Sequence, residues 1–252
     1  MTNKSDIIGS FAKGLRVIEA FSADAPRQSI AEVSNATGLD RATARRCLLT
    51  LHDQGYADYD GKYFTLTPRV LRLGLAALAS MPLPQVVQPW LDQLSERIGQ
   101  SCSVSILDDR EIVYVARAAQ QRVMSIGLMP GSRLPAHCTA MGRVLLASLT
   151  VEQAQERIET SALAPRTPFS LTEVDAIMTE ISAIKAQGYA LVDQEVELGL
   201  RSLAVPIINM HGRTIAALNV GVAAVQPHAD AVLTSYLEDL IRVQSGLRRT
   251  LS

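Results

Sequence analysis

Residues 29–46 read SIAEVSNATGLDRATARR and predict two short helices joined by a tight turn. Ser29 can accept a backbone N–H from the first helical turn while Glu32 reaches back to the Ser29 backbone, which is the pattern of a capping box. Gly38 suits the left-handed residue that ends a helix, and Asp40 suits the N-cap of the helix that follows. Such a short connection forces the two helices to cross steeply, as in a helix-turn-helix.

The second of these helices, from Arg41 to Gln54, carries a basic face. Apolar residues at helical spacing bury one side of it, whereas Arg45 and Arg46 point away, with Arg41 and Thr43 at the N-terminal end. A recognition helix presents side chains at this end to base edges and phosphates in the major groove. The alternative is a small helical subdomain whose arginines form a solvated face.

A hairpin is predicted after the second helix. Asp60-Gly61 lies between Tyr56–Tyr59 and Lys62–Thr65, and Asp-Gly between two strands favours a tight turn in which both residues take positive φ. Helix-turn-helix plus hairpin makes a winged helix, in which the lysine at the wing tip can reach a phosphate. The predicted DNA-binding residues are Ser29, Arg41, Thr43, Arg45, Arg46 and Lys62.

Charge and composition limit the possible partners. The 252 residues leave room for two domains. The net charge is −1, but residues 1–72 carry ten Lys/Arg against eight Asp/Glu, which gives +2 there and −3 for the remainder. A DNA contact therefore depends on local arginines and on dimerisation. Three scattered cysteines, no signal sequence and no long apolar run predict a cytoplasmic protein without a membrane partner.

A short helix that is apolar nearly all round is predicted from Val70 to Ser80. Such a helix needs to be covered. A second chain can cover it, which would make it a dimerisation element, or the next domain of the same chain can do so. Prolines at 82 and 84 break it. We therefore predict a DNA-binding domain over residues 1–67, a linker helix over 68–82 and an effector-binding domain over 83–252.

The third of these segments alternates strand and helix patterns. Runs of antiparallel strands with helices between them predict an α+β sensor-like domain rather than a doubly wound sheet. The predicted strands are Cys102–Leu107, Ile112–Val115, Val123–Met129, Tyr189–Asp193, Leu203–Asn209 and Thr214–Gly221. The predicted helices cover residues 85–98, 139–148, 150–160, 171–187 and 229–247.

The sequence contains no recognisable catalytic motif. There is no phosphate loop and no G-x-S-x-G, and the four histidines, His52, His137, His211 and His228, never come in zinc-binding pairs. Cys138 follows His137, but adjacent residues on an extended segment point in opposite directions. We therefore predict no enzyme activity, no cofactor and no metal site.

Two stretches have the character of walls around a ligand. Within Pro130–Gly142 a strand meets a helix, whose opening amides favour a carboxylate, although the same residues also suit an ordinary helix cap. In the second stretch, acidic residues precede a strand that begins with polar side chains. Arg201 and Ser202 can bind a carboxylate or hydroxyl there, while Asp193 or Glu195 accepts from a hydroxyl. The alternative for the second stretch is an exposed acidic loop.

Over nearly its entire length, the chain resembles the IclR (isocitrate lyase regulator) family of bacterial transcription factors. The resemblance lies in Lys13–Phe21, the capping box, Arg41–Arg46, Gly131–Gly142 and Asp193–Ile207. Within the last stretch, Gly-Leu-Arg-Ser-Leu-Ala-Val-Pro-Ile is particularly specific. Residues 122–127 and 131–142 resemble the branch that regulates aromatic-acid catabolism through the β-ketoadipate pathway.

The resemblance implies a winged-helix domain, a linker helix and a C-terminal effector-binding domain of GAF-like α/β fold. It also implies a homodimer or dimer of dimers on a palindromic operator in double-stranded DNA, with small organic or aromatic acids as effectors. Some relatives have a cysteine at the position of Ser202, so the identity of the ligand does not transfer. With the residues argued above, the predicted effector-binding set is Thr139, Ala140, Met141, Asp193, Leu200, Arg201, Ser202 and Asn219.

The predicted function is a transcriptional regulator whose DNA affinity is coupled to a small carboxylated metabolite. Two other classes remain open on the sequence. One is a small-molecule enzyme with an incidental helical domain, which turnover of a bound acid would reveal. The other is an oligomerisation module that uses the apolar helix and does not bind specific DNA.

Overall fold

The computed structural model describes residues 7–22, 25–74, 82–120, 127–224 and 230–251. The chain divides into two compact units, Met1–Ser80 and Met81–Ser252. The predicted fold class, α+β with an N-terminal winged helix and an α/β C-terminal domain, is confirmed. Of the predicted linker helix, Pro68–Val70 form a 3₁₀ helix, residues 71–74 are helical and residues 75–81 lie outside the described ranges. The domain limits at 67 and 82 therefore stay a prediction.

The N-terminal unit packs helices against a small antiparallel sheet with strand order β1-β3-β2. Its core is apolar and includes the fully buried Val17, Val33, Leu48 and Phe64. The two-residue strand β1, which lies just before the capping box, was not predicted. The elements are α1 (Gly9–Glu19), β1 (Arg27–Gln28), α2 (Ile30–Thr37), α3 (Arg41–Asp53), β2 (Ala57–Tyr59) and β3 (Phe64–Leu66).

Local hydrogen bonds fix the helix-turn-helix as predicted. Ser29 N donates to Glu32 Oε2 at 2.6 Å, and Glu32 N donates to Ser29 Oγ at 3.4 Å, which completes the capping box of α2. Gly38 ends α2 with φ of 69°, a conformation that glycine adopts without a steric penalty. Thr43 N donates to Asp40 Oδ1 at 2.9 Å and caps α3.

The turn of the wing differs from the prediction. Gly61 has φ of 99°, but Asp60 is not a positive-φ residue, so the expectation of positive φ at both positions was wrong. The connection is four residues long, because β2 ends at Tyr59 and β3 begins at Phe64, and Asp60 N donates to Tyr63 O at 3.2 Å within it. The Asp60 carboxylate accepts from the backbone N–H groups of Lys62 at 3.0 Å and Tyr63 at 2.8 Å. Its side chain thus holds the turn that backbone geometry alone was expected to hold.

The C-terminal unit is built on an antiparallel sheet with strand order β6-β5-β4-β9-β8-β7. Its strands are β4 (Ser101–Asp108), β5 (Glu111–Ala118), β6 (Arg133–Pro135), β7 (Ala190–Asp193), β8 (Leu200–Ile208) and β9 (Thr214–Ala223). Its helices are α4 (Pro82–Ile98), α5 (Ala140–Ala147), α6 (Val151–Glu159), α7 (Val174–Gln187) and α8 (Asp230–Arg248).

Alternate residues along the strands of the sheet pack into two separate hydrophobic cores. On β8, Leu203 belongs to the core shared with α4 and α8, and Ala204 belongs to the core shared with α5 and α7. Because successive strand residues point to opposite faces, the two helix pairs cover the two faces of the sheet. A Cβ on Gly246 of α8 would lie 2.3 Å from the Trp90 ring of α4, so this glycine allows the two helices to approach closely.

Besides small shifts in the bounds of other elements, the first helix and one strand predicted for the C-terminal unit differ from the structure. Helix α4 begins at Pro82, three residues before the predicted start at residue 85, and continues through Pro89. Of the strand predicted over Val123–Met129, residues 123–126 lie outside the described ranges, and residues 127–129 are not a strand. The short strand β6 that follows, paired with β5, was missed.

None of the helices in the described ranges combines the length and apolar composition needed to cross a bilayer.

Candidate functional site

The exposed face of α3 is basic. Arg41, Arg45 and Arg46 are exposed, whereas Ala44 and Leu48 on the opposite face are fully buried. Thr43 is also buried, and its Oγ1 accepts from Arg46 Nη2 at 3.4 Å. The structure therefore brings the three arginines together on one surface and places Thr43 beneath that surface.

The wing adds two further cations, one of which the sequence reasoning missed. Lys62 is exposed and lies 4.9 Å from the centre of the Tyr63 ring. Arg27 stacks 4.3 Å over the same ring and forms an ion pair with Asp60. Hydrogen bonds from the Tyr63 amide and from Arg27 hold the pKa of the Asp60 carboxyl far below its usual range. The only sequence signal for Arg27 was its position beside the capping box.

Ser29 lies next to this basic surface but already has partners. Its hydroxyl donates to Glu32 Oε2 at 2.6 Å and accepts the Glu32 amide. The hydrogen bonds that the Ser29 hydroxyl and the Ser29 amide donate to the Glu32 carboxylate lower the pKa of Glu32. The predicted contact of Ser29 with DNA therefore competes with its role as the helix cap.

A cavity in the C-terminal unit lies between the sheet and the beginning of α5. The cavity volume is about 30 Å³, where roughly 10–15 Å³ is enough for one water, so an organic ligand enters only if the lining side chains move apart. Of the eight predicted effector-binding residues, six line it. The lining residues are Ser101, Tyr114, Arg117, Leu128, Leu134, Thr139, Ala140, Met141, Val192, Val196, Leu200, Ser202, Asn219 and Gly221.

The remaining two predicted residues, Asp193 and Arg201, do not line the cavity. They stand opposite each other in the β7–β8 ladder, and Arg201 Nε donates to Asp193 Oδ1 at 2.8 Å. Arg201 is buried, with 5% of its surface exposed. Its guanidinium is thus directed to a carboxylate of the protein itself.

Arg117 is the one charged side chain among the described residues that line the cavity. It is half-buried, and its Nη1 donates to Ser103 Oγ at 2.9 Å. No Asp or Glu in the described ranges lies within ion-pair distance of it. The sequence reasoning missed Arg117, although a lone arginine in the otherwise apolar run Ile112–Ala118 was a usable signal.

Two polar groups of the cavity are available to a ligand. Asn219 Nδ2 donates to Ser202 Oγ at 2.8 Å, while the buried Asn219 Oδ1 has no hydrogen-bond partner among the described residues. Burial raises the pKa of Tyr114 to about 12. Its phenol therefore remains protonated at physiological pH and is able to donate a hydrogen bond.

The beginning of α5 forms another wall. Gly142 N donates to Thr139 Oγ1 at 3.1 Å, so Thr139 is the N-cap. Ala140 and Met141, in the first helical turn, line the cavity, and the amides of such a turn favour an anion. A Cβ on Gly142 would lie 2.2 Å from Ala136 O, so the approach of the preceding loop to α5 requires glycine there.

The adjacent His137 and Cys138 do not have the character of a catalytic pair. Burial raises the pKa of Cys138 to about 11, so its nucleophilic thiolate form is scarce at physiological pH. Burial, followed by the charges of Arg143 and Arg166, lowers the pKa of His137. Within the residues that the structure describes, no group of three or more His, Cys, Asp or Glu side chains is arranged to hold a metal ion.

Comparison with known families bears directly on both units. The family described as the IclR helix-turn-helix domain matches residues 10–61. The family described as the bacterial transcriptional regulator IclR C-terminal domain matches residues 75–245. The first match lies within the N-terminal unit and the second covers most of the C-terminal unit, and together they confirm the family resemblance inferred from the sequence.

Individual relatives specify the branch of the family. The Pca regulon regulatory protein of Pseudomonas putida is 41% identical over 94% of this chain and 80% of its own length. The p-hydroxybenzoate hydroxylase transcriptional activator of Acinetobacter baylyi is 42% identical, covering 85% of this chain and 81% of its own.

A solved structure with a bound acid is also similar. It is a double mutant of the PobR transcription factor inducer-binding domain from Acinetobacter, in complex with 3-hydroxybenzoic acid. It is 36% identical, covers 66% of this chain and 97% of its own, and has a TM-score of 0.60. The chain therefore belongs to the IclR family of bacterial transcriptional regulators, and its close relatives lie in the branch that regulates aromatic-acid catabolism.

Proposed function

We propose that this regulator binds a small carboxylated metabolite of aromatic-acid catabolism in its C-terminal cavity, with a hydroxybenzoate as the favoured class. Binding of the acid changes the affinity of the protein for its operator. The observation that carries the proposal is the position of Arg117, a half-buried guanidinium facing the cavity without a carboxylate partner in the described ranges.

A guanidinium in this setting favours an anionic ligand. A partly desolvated charge is costly unless it is paired, and arginine matches a carboxylate with two parallel hydrogen bonds. Because Arg201 is already paired with Asp193, we assign the carboxylate contact to Arg117. The amides that open α5, around Ala140 and Met141, offer a second site of favourable potential.

The chemistry of the remaining walls suits a ring that carries a hydroxyl group. Leu134, Val192 and Leu200 present apolar surface, which suits the faces of a ring. Asn219 Oδ1 is a buried acceptor that needs a donor, and a ligand hydroxyl supplies one. Two relatives support this class. One is named as the transcriptional activator of p-hydroxybenzoate hydroxylase, and the other was solved in complex with 3-hydroxybenzoic acid.

We further propose how the N-terminal unit reads DNA. Helix α3 enters the major groove with Arg41, Arg45 and Arg46 toward bases and phosphates, and Lys62 contacts a phosphate from the wing. The exposure of these four side chains supports the assignment. Ser29 adds a contact at the start of α2, whereas Thr43 supports Arg46 from below.

A palindromic operator requires two copies of the chain, so we propose a homodimer or a dimer of dimers. Large apolar side chains exposed on the N-terminal unit support self-association. In the first helix Phe11 is 67% exposed, and beyond the wing Leu71 is 66% exposed. A surface of this kind commonly marks a protein interface.

The decisive experiment is fluorescence anisotropy on the promoter DNA that flanks this gene. Wild type, Arg117→Met and the control Arg133→Met are titrated with and without 4-hydroxybenzoate, protocatechuate and β-ketoadipate. Arg133 is an exposed arginine of the same unit that forms surface ion pairs with Asp108 and Glu111. We expect one of the acids to change DNA affinity in wild type and in the control but not in Arg117→Met, which retains DNA binding.

Two results would contradict the proposal. An unchanged acid response in Arg117→Met would remove the carboxylate contact from this residue. Turnover of the acid in the same samples, followed by chromatography, would favour an enzyme instead.

A further inference from the structure

A charged pair lies inside the C-terminal unit, outside the cavity lining. Arg143, in α5, is 2% exposed and is one of the largest fully buried side chains. Glu195, in the loop between β7 and β8, is 6% exposed. Arg143 Nη2 and Glu195 Oε2 are 2.6 Å apart, so the pair is a buried ion pair that joins two segments distant in sequence.

Each member of the pair also holds the backbone of another loop. Arg143 Nε donates to His137 O at 2.7 Å, in the segment that leads into α5. Glu195 Oε2 accepts from Leu171 N at 3.0 Å, in the segment that precedes α7. The two side chains therefore connect four stretches of chain through three directional bonds.

The loop that carries Glu195 is tied down further. Thr167 Oγ1 donates to Gln194 O at 2.6 Å, and Ser170 Oγ donates to Glu195 O at 2.7 Å. Residues 167–171 thus form a strap over residues 194–196. The strap is bonded to Glu195 of this loop, and Glu195 is in turn bonded to Arg143.

Both ends of the pair adjoin walls of the cavity. Met141, two residues before Arg143, lines the cavity from α5. Val196, next to Glu195, lines it from the β7–β8 loop. These walls come from elements that are separate in sequence, and the ion pair is the shortest side-chain link between them that the structure shows.

Stability alone gives little reason for charges at this place. Replacing a buried ion pair by apolar residues of similar volume is often neutral or stabilising, because desolvation offsets the attraction between the charges. An ion pair with further bonds at both ends nevertheless accepts only one arrangement, whereas an apolar contact tolerates sliding. Its distinctive contribution is therefore geometric.

We propose that Arg143 and Glu195 are positioning residues that set the separation between the Met141 wall and the Val196 wall of the cavity. The pair itself does not contact the ligand. Its effect on effector affinity rests on the function proposed above, whereas its effect on the order of the two walls does not.

Hydrogen–deuterium exchange of the full chain tests the geometric part. The variants are Arg143→Met/Glu195→Leu and Glu195→Gln, which keeps the shape of the side chain. The matched control is Arg97→Met, which breaks a 3.0 Å ion pair with Asp239 between α4 and α8, away from the cavity. In the double variant we expect exchange about tenfold faster over residues 137–142 and 193–199, and no change there in the control.

Two exchange results would overturn the positioning role. One is that both segments of the double variant exchange at the wild-type rate. The other is faster exchange spread evenly over the C-terminal unit in the double variant and in Glu195→Gln alike, which would identify the pair as a contributor to stability only. If the double variant fails to fold, Glu195→Gln decides between the local and the even pattern.

Isothermal titration with 4-hydroxybenzoate, protocatechuate and β-ketoadipate tests the effect of the ion pair on effector affinity. For the acid that wild type binds, we expect affinity to fall about tenfold in the double variant and to stay unchanged in Arg97→Met. If wild type binds none of the three, the proposed function fails, and the exchange result still decides the positioning role. Wild-type affinity in the double variant would overturn the link between the pair and the ligand.

Discussion

Asn219 and Ser202 form a hydrogen bond across β9 and β8, in which Asn219 Nδ2 donates to Ser202 Oγ at 2.8 Å. The bond fixes the amide so that its oxygen, buried and without a partner in the described ranges, remains an acceptor. A buried acceptor without a donor costs about 1–3 kcal/mol. If the cavity binds an acid as proposed, an acid with a hydroxyl group satisfies this acceptor and an acid without one does not.

The first prediction concerns this distinction. Asn219→Leu should weaken 4-hydroxybenzoate binding by about tenfold while leaving benzoate affinity unchanged or higher, because only the hydroxylated acid uses the amide oxygen. Isothermal titration with both acids measures the difference, and Arg133→Met, an exposed arginine outside the cavity lining, is the control. Equal losses for the two acids would show that Asn219 does not read a hydroxyl group.

The second prediction concerns DNA. Arg45→Ala should weaken operator binding by about 1–3 kcal/mol if the side chain reads a base, or lower the salt slope by about one if it contacts a phosphate. Acid affinity should not change. Fluorescence anisotropy at several salt concentrations measures both quantities. Arg16→Ala, an exposed arginine of α1, is the control, and joint loss of DNA and acid binding in Arg45→Ala would indicate misfolding instead.

The third prediction concerns the effect of low pH on the turn of the wing. The folded-state pKa of Asp60 lies below its ordinary value of 3.8, so its stabilising effect is present above that pH and is lost as the pH falls further. Asp60→Asn should lower the melting temperature of the N-terminal unit at pH 6. It should also reduce the additional loss that wild type suffers below about pH 4. Calorimetry across this range is the measurement, and parallel pH profiles would contradict the prediction.

The fourth prediction concerns the approach of the Ala136 loop to α5. Gly142→Ala should destabilise the C-terminal unit by about 1–3 kcal/mol, because its Cβ meets backbone atoms of Ala136 at 2.2 and 2.4 Å. It should also weaken acid binding. Gly14→Ala, in α1 with open space around its Cβ, is the control and should not destabilise. Chemical denaturation measures both variants, and an unaffected Gly142→Ala would refute the close approach.

The parts of the fold that depend on near neighbours were readable from the sequence. The capping box of Ser29 and Glu32 and the cap at Asp40 involve atoms three residues apart, so local chemistry determines them. The turn of the wing shows the limit of that reasoning. The side chain of Asp60 competes with its own backbone for the turn amides, and a dipeptide rule does not include this competition.

The sequence did not reveal in the same way that Arg117 is the charged residue lining the cavity. Arg201 was chosen because it lies beside other candidate residues, but the β7–β8 register sets it against Asp193. Arg117 acquires its setting only when β5 pairs with β4 and when residues such as Met141 and Asn219 arrive from distant parts of the chain. Which arginine lines the cavity without a carboxylate partner in the described ranges is therefore a property of strand pairing, which local sequence patterns do not reveal.

The pairing of β4 with β9 also has a consequence for the order in which the protein folds. Ser101 is hydrogen-bonded in register with Gly221, and pairings so far apart in sequence close slowly because a long loop must first be ordered. The strand pairings and core contacts described for the winged helix, by contrast, join residues within the first part of the chain. During synthesis, the segment that reads DNA is therefore complete well before the seam that lines the cavity, so a nascent chain acquires its DNA-reading fold before its ability to sense an acid.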